Sequence, residues 1–221
     1  MLDKSSLKCV CKSFLGFGLM LLVALAGMIS AQTRELPENP FERGLVFLSQ
    51  FKYAEAKDSF DQAIGQEPNN IQAYYYRGKS LVELGHLEAA WNDFSKSLDL
   101  NPDYALGYVG RALVYIKQND FTQAMEQITK AQAIEPKNAE AFYQRGVIFG
   151  YQKKINEAID SFKKCLEVKP DHMYAHYQIG LAYYNLKRPD LTIVHFEKFL
   201  QLAPGAPEAE QVRNLLNFLR R

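Results

Sequence analysis

Residues 71–104, IQAYYYRGKSLVELGHLEAAWNDFSKSLDLNPDY, decide how this chain folds. Apolar or aromatic side chains recur at helical spacing on both sides of Gly85. Glycine suits the left-handed backbone at the end of a helix, and Pro102 prevents the second helix from continuing. The stretch therefore predicts a helix, a tight turn and a second helix. The periodic positions are Tyr74, Leu81 and Leu84, then Leu87, Ala90, Trp91, Phe94 and Leu98.

The pattern returns every 34 residues. Proline keeps that interval at Pro68, Pro102, Pro136, Pro170 and Pro204. Three further columns keep it as well: Ala56, Ala90, Ala124 and Ala158; Gly44, Gly78, Ala112, Gly146 and Gly180; Phe60, Phe94, Ile128, Phe162 and Phe196. A fixed period of this length indicates a solenoid of stacked units. We predict five repeats, at 37–70, 71–104, 105–138, 139–172 and 173–206.

The order of residues inside each unit resembles the tetratricopeptide repeat. The columns that carry the resemblance are Tyr74, Gly78, Leu81, Ala90, Phe94 and Pro102; Tyr108, Ala112, Tyr115, Ala124 and Pro136; Phe142, Gly146, Phe149, Ala158, Phe162 and Pro170. The resemblance implies an all-α, right-handed α-solenoid of five helix-turn-helix repeats whose function is to bind other proteins. The fifth unit is looser, with Ile179, Thr192 and Pro189 departing from the pattern, as is usual near the end of an array.

The last segment, 207–221, is predicted to be a capping helix. Its apolar stripe would cover the fifth repeat and keep the array soluble, with the charged residues facing away. The stripe is Val212, Leu215, Leu216 and Leu219, and the charged residues are Glu208, Glu210, Arg213 and Arg220.

Residues 1–31 have the parts of a secretory signal peptide: three lysines, an uncharged apolar run at 14–29, and a small-residue exit. Sixteen helical residues span about 24 Å, whereas a transmembrane helix usually needs about 20 residues. We therefore predict cleavage after Ala31, a short linker at 32–36, and export to a bacterial periplasm or envelope. The alternative is an uncleaved inner-membrane anchor formed by residues 14–29.

Composition and motifs favour a binding protein over an enzyme. The formal net charge of +1 shows no bias toward nucleic acid, and three cysteines, two of them before the apolar run, do not form a disulfide framework. Cys165 falls in a column of small residues and is expected to be buried. His86 and His195 are isolated. His172 and His176 have a spacing that can chelate a metal, but no further ligand completes the set, so neither a metal nor a cofactor is predicted.

The first helices are expected to line a concave groove. Because consecutive helical residues point about 100° apart, we place Tyr74 in the core, Tyr75 in the groove and Tyr76 at a seam or in solvent. The predicted partner is an apolar protein or peptide segment. Self-packing of this face, a homo-oligomer and a membrane-anchored assembly factor are the alternatives. The candidate groove residues are Phe41, Tyr75, Leu113, Tyr143, Val147, Tyr177, Leu181 and Tyr184.

A column of arginines stands where the common pattern has leucine. Such a ladder either binds an anionic ligand or packs its stems while the guanidinium groups pair with second helices, as Arg77 could with Asp93. Some relatives hold a terminal carboxylate with Lys and Asn on the concave face. Apolar residues occupy the comparable region here, so we predict no such clamp. The ladder is Arg43, Arg77, Arg111 and Arg145.

Overall fold

The structure is a computed structural model that describes residues 36–220. The predicted signal peptide lies outside these residues, as does most of the linker. Within 36–220 there are eleven helices and no strand. In chain order they are α1 (Pro40–Ser49), α2 (Tyr53–Gln66), α3 (Ile71–Glu83), α4 (Leu87–Leu100), α5 (Ala105–Lys117), α6 (Phe121–Ile134), α7 (Ala139–Tyr151), α8 (Ile155–Val168), α9 (Met173–Asn185), α10 (Pro189–Leu202) and α11 (Ala209–Leu219). None of these helices combines the length and apolar character needed to cross a membrane.

Local signals start the helices and turn the chain. The side-chain oxygen of Asn138 accepts a hydrogen bond from the backbone N–H of Ala141 at 2.8 Å, which caps α7. Between the two helices of every repeat, one residue adopts positive φ at the same place in the 34-residue register, and only Gly85 is a glycine. The turn geometry therefore imposes the left-handed conformation whatever the residue. The other four are Phe51, Asn119, Lys153 and Lys187.

Glycine and phenylalanine columns fit together inside each repeat. A Cβ added at Gly78 would lie 2.6 Å from the Phe94 ring, so the glycine lets the two helices approach. The third repeat has Ala112 and Ile128 at these positions, both fully buried. The aliphatic residue leaves room for the extra methyl group, so the two exceptions to the columns compensate each other.

The repeats stack in order, with α11 packed on α10. First helices contact one another, α1 with α3, α3 with α5 and α5 with α7, whereas consecutive second helices within residues 36–220 make no comparable contact. The first helices therefore form the tighter, inner side of the array. This confirms the predicted all-α solenoid of five helix pairs followed by a C-terminal capping helix.

One prediction about the capping helix was wrong. Glu208, expected to face away from the repeats, instead turns inward, and its Oε2 atom is buried. Val212 and Leu216 are buried as predicted. Glu208 directly precedes the buried residue Ala209 at the first turn of α11, so the packing of that turn draws the carboxylate in.

The three consecutive tyrosines separate, although Tyr75 does not lie where it was expected. Tyr74 is half-buried, and its hydroxyl donates to the carbonyl oxygen of Pro68 at 3.1 Å. Tyr75, expected in the groove, is only 3% exposed, and Tyr104 from the next turn covers its ring edge-to-face at 6.0 Å. Tyr76 lies at the seam with the first repeat, where it stacks on Phe60 at 5.9 Å.

Candidate binding groove

The inner face, defined as the side of the first helices that line the groove, exposes one of the candidate groove residues, Tyr184 near its C-terminal end. There, Tyr177, Leu181 and Tyr184 follow one another on one side of α9, and Tyr184 is 40% exposed. The close contact that joins earlier first helices has no counterpart between α7 and α9. Tyr75 is buried, and the remaining candidate groove residues are half-buried: Phe41, Leu113, Tyr143, Val147, Tyr177 and Leu181.

Sequence reasoning missed an exposed aromatic residue on the capping helix. Phe218 on α11 is 68% exposed, the most exposed large apolar side chain of the repeats and cap within the described residues. It lies 34 positions after Tyr184, so extending the repeat period into the capping helix would have revealed it.

Polar side chains cross the middle of the inner face. His172 Nε2 lies 3.4 Å from Glu140 Oε2, and Gln144 donates to the other carboxylate oxygen at 3.2 Å. Burial alone would raise the pKa of Glu140, but the positive charge of Lys79 and the His172 and Gln144 contacts outweigh it and hold the pKa below its usual value. The centre of the groove is therefore a charged cluster with aromatic surroundings, since the Tyr143 and His172 rings lie 4.6 Å apart.

One aromatic contact joins the first repeat to the fifth. Phe51, in the turn between α1 and α2, meets Tyr174 in the first turn of α9 with ring centroids 6.5 Å apart. Phe51 packs against the core formed by α10, α11 and the segment between them. The first repeat thus reaches the fifth, and the array closes on itself.

Tetratricopeptide repeat family models match this helical array from residue 41 to residue 206, at 41–105, 77–139, 139–172 and 174–206. The chain belongs to the tetratricopeptide repeat (TPR) family. TPR proteins are generally non-catalytic scaffolds for protein–protein interaction. This general function is the one predicted from the sequence. No curated protein sequence matches the chain.

Solved TPR structures share the fold. TTC0263, a thermophilic TPR protein of Thermus thermophilus, is 20% identical; the match covers 83% of this chain and 98% of that chain, with a TM-score of 0.69. A chain of the APC/C hetero-tetramer Cut9–Hcn1 is 19% identical, with 82% of this chain and 36% of that chain covered and a TM-score of 0.61. At these identities the likeness shows the fold alone.

The arginine column of the TPR repeats lies against second helices. Arg77 donates two hydrogen bonds to Asp93, at 2.8 and 2.6 Å, and a third to Asp61 at 2.6 Å. Arg111 donates to Ser95 at 2.9 Å and lies over the Trp91 ring. These contacts correspond to the alternative in which the arginine stems pack and the guanidinium groups pair with second helices.

The two end members of the ladder also have partners inside the array. Arg145 contacts Ser161 and Gln132, and Arg43 donates to Gln62. Of the four, only Arg77 forms an ion pair within the described residues. The ladder therefore joins neighbouring TPR helices instead of lining the inner face.

His172 and His176, whose spacing could chelate a metal, do not pair with each other. His176 Nδ1 lies 3.1 Å from His195 Nδ1, and its Nε2 lies 3.1 Å from the Pro170 carbonyl oxygen, whereas His172 turns to Glu140. Burial, then the charges of His176 and Lys163, lower the pKa of His195 to about 4. In residues 36–220 no three His, Cys, Asp or Glu side chains are grouped to hold a metal.

The contact between His176 and His195 predicts that the protein loses stability in mild acid. The unfolded His195 binds a proton near pH 6.5, whereas the folded one resists protonation down to about pH 4, so stability falls as pH drops through that window. After allowance for solvent screening we expect a loss of roughly 1–2 kcal/mol between pH 7 and pH 4.5. Urea unfolding of the wild type and His195→Gln at both pH values measures it; an equal loss in the variant would contradict it.

Cys165 is fully buried, and burial raises the pKa of its thiol to about 12. The thiol therefore stays protonated at neutral pH and acts as a small apolar side chain.

Proposed function

We propose that this TPR protein is an exported adaptor that binds an apolar segment of another protein on the C-terminal part of its inner face. The observation that carries the proposal is the run of Tyr177, Leu181 and Tyr184 along α9, which remains partly accessible while Tyr75 is covered. Aromatic anchors with exposed apolar bodies and a polar hydroxyl are common at interfaces.

The spacing of these residues favours a helical or extended partner lying across α9. The three side chains occupy successive turns of one face, and the exposed ring of Phe218 follows Tyr184 in the register of the repeats. A partner would bury Tyr184 against its own apolar side chains, with the charged cluster around Glu140 bounding the apolar surface.

Export is part of this proposal and rests on residues 1–31. The lysines, the apolar run at 14–29 and the small residues that follow it support passage across a bacterial cytoplasmic membrane. An uncleaved anchor at 14–29 would place the same repeats outside that membrane. Mass spectrometry of the N-terminus of the protein made in its own host distinguishes the two.

Capture experiments test the groove. The mature chain, residues 32–221, and a Tyr177→Ala/Tyr184→Ala variant are used as baits in envelope extract, and the captured protein is then purified and titrated. Each anchor should contribute about 1–2 kcal/mol to binding. The double variant should therefore bind about thirtyfold or more weakly.

The matched control is Val194→Ala, because Val194 is 59% exposed on α10 and lies outside the proposed surface. It should bind like the wild type. If the wild type, the double variant and the control bind with equal affinity, the proposed binding groove is wrong. Light scattering tests the structural alternative: a stable dimer that dissociates in Tyr184→Ala/Phe218→Ala and captures nothing would make self-association the function.

A further inference from the structure

The turn of the first repeat differs from the equivalent turns of the other repeats. Five residues share one place in the 34-residue register and adopt positive φ, and four of them are exposed: Gly85, Asn119, Lys153 and Lys187. Phe51 is the exception, because it is aromatic and half-buried. The tip of this turn is therefore in contact with another part of the chain.

The backbone of Phe51 gives no local reason for an aromatic ring. Its φ is 60°, in a region that glycine adopts freely and that bulky side chains rarely adopt. Unfavourable backbone conformations persist where the surrounding structure holds them, and they are concentrated at clamps and switch regions. The reason for an aromatic residue at this position therefore lies in what its ring contacts.

The ring of Phe51 lies on the fifth repeat, beside residues of the proposed binding surface. It meets Tyr174 edge-to-face, with an interplanar angle of 86°. Tyr174 meets Tyr177 in the same way, with ring centroids 6.5 Å apart. Phe51, Tyr177 and Leu181 all pack against one apolar core, formed by α10, α11 and the segment between them. The first repeat thus supplies an aromatic side chain to the apolar cluster that includes the proposed binding residues.

The junction between the first and fifth repeats is small. Within residues 36–220, no helix of the first repeat packs along a helix of the fifth repeat or along the capping helix. Adjacent repeats, by contrast, pack helix against helix throughout the array. A region with few buried apolar contacts opens at a lower free energy than the whole protein unfolds. The junction can therefore open while every repeat keeps its fold.

We propose that Phe51 is an intramolecular latch, which holds the array closed and occupies an apolar site on the fifth repeat that a bound segment uses when the latch opens. Phe51 competes there with an incoming aromatic or aliphatic side chain, so the closed array has the lower affinity. A protein whose binding-competent state is only partly populated binds with an affinity reduced by that fraction. Placing the competing side chain on a partner rests on the proposed function; the latch itself does not.

Distance measurements test the latch without any partner. Residues 32–221, which contain every described helix, carry spin labels at Glu42→Cys and Glu210→Cys, two exposed sites on the first repeat and the capping helix. Cys165 is fully buried and stays unlabelled. Electron–electron double resonance should give a narrow distance distribution in this labelled parent and a longer, broader one after Phe51→Gly. Glycine adopts the backbone conformation freely, so the variant should keep its helices, which circular dichroism checks.

The matched control is Asn119→Gly, a substitution at the same place in the third repeat, where φ is 62° and the side chain is exposed. It should leave the distance distribution unchanged. The dye ANS, which binds exposed apolar surface, probes the vacated site. Because minor states are commonly populated at about 10% or less, Phe51→Gly should bind ANS at least about tenfold more tightly than the parent.

Equal distance distributions in Phe51→Gly and the parent, or a broad distribution in the parent itself, would overturn the latch. An open Phe51→Gly array that binds ANS no more tightly would overturn the competition and leave Phe51 as a structural contact. Should Phe51→Gly lose its helices, Phe51→Asn replaces it, because asparagine already adopts this conformation at Asn119. Distances test the latch and protein capture tests the groove, so each can fail without the other.

Discussion

Arg77→Ala should destabilise the protein by about 3–5 kcal/mol, because it leaves a buried carboxylate without its partner. Asp93 is 5% exposed and receives two hydrogen bonds from the guanidinium group, which also reaches Asp61 on the preceding repeat. Asp93 and Asp61 raise the pKa of Arg77 above its ordinary value, so the guanidinium is charged at any pH of interest. Urea unfolding at pH 7 measures the loss.

Two controls separate the buried charge from the packing of the arginine stem. Arg188→Ala removes a guanidinium from an exposed pair with Asp190 and should leave the unfolding midpoint unchanged. Arg77→Leu/Asp93→Leu removes both charges and should recover most of the stability, because an apolar pair can replace a buried ion pair. A double variant as unstable as Arg77→Ala would show that the stem, and not the unpaired charge, carries the effect.

The repeat period made most of the fold predictable. It fixes which residues lie between the helices of one repeat, so the Gly78–Phe94 fit and the exception at Ala112 and Ile128 can be inferred from the columns. The partners of the arginine column follow the register as well. Arg77 reaches Asp61 and Asp93, each 16 residues away, and Arg111 reaches Ser95 at the same separation.

The site was less predictable because it depends on how far the array curves. Small rotations between successive repeats add up, and no single column records their sum. Tyr75 is covered because the next turn brings Tyr104 over it, and Phe51 meets Tyr174 because the curvature carries the fifth repeat back to the first.

Phe94→Ala should cost about 3–5 kcal/mol, the usual range for deleting a fully buried phenylalanine ring. Phe94 is completely buried, and its ring fills the space left by two glycines: a Cβ would lie 2.6 Å from it at Gly78 and 2.2 Å at Gly110. Gly110 belongs to the next repeat, so the ring joins two repeats, and little nearby can move to close the cavity. Urea unfolding with two spectroscopic probes measures the loss.

The matched control is Phe218→Ala, which deletes the same ring from a site that is 68% exposed and should change stability by less than about 0.5 kcal/mol. Phe94→Ile should lose less stability than Phe94→Ala. Adding Gly78→Ala to Phe94→Ile reproduces the pair that the third repeat has at Ala112 and Ile128. That double variant should be at least as stable as Phe94→Ile alone, since the methyl group fills part of the vacated space. If Gly78→Ala instead destabilises Phe94→Ile, the close approach of α3 and α4, and not the volume of the ring, is what the glycine column preserves.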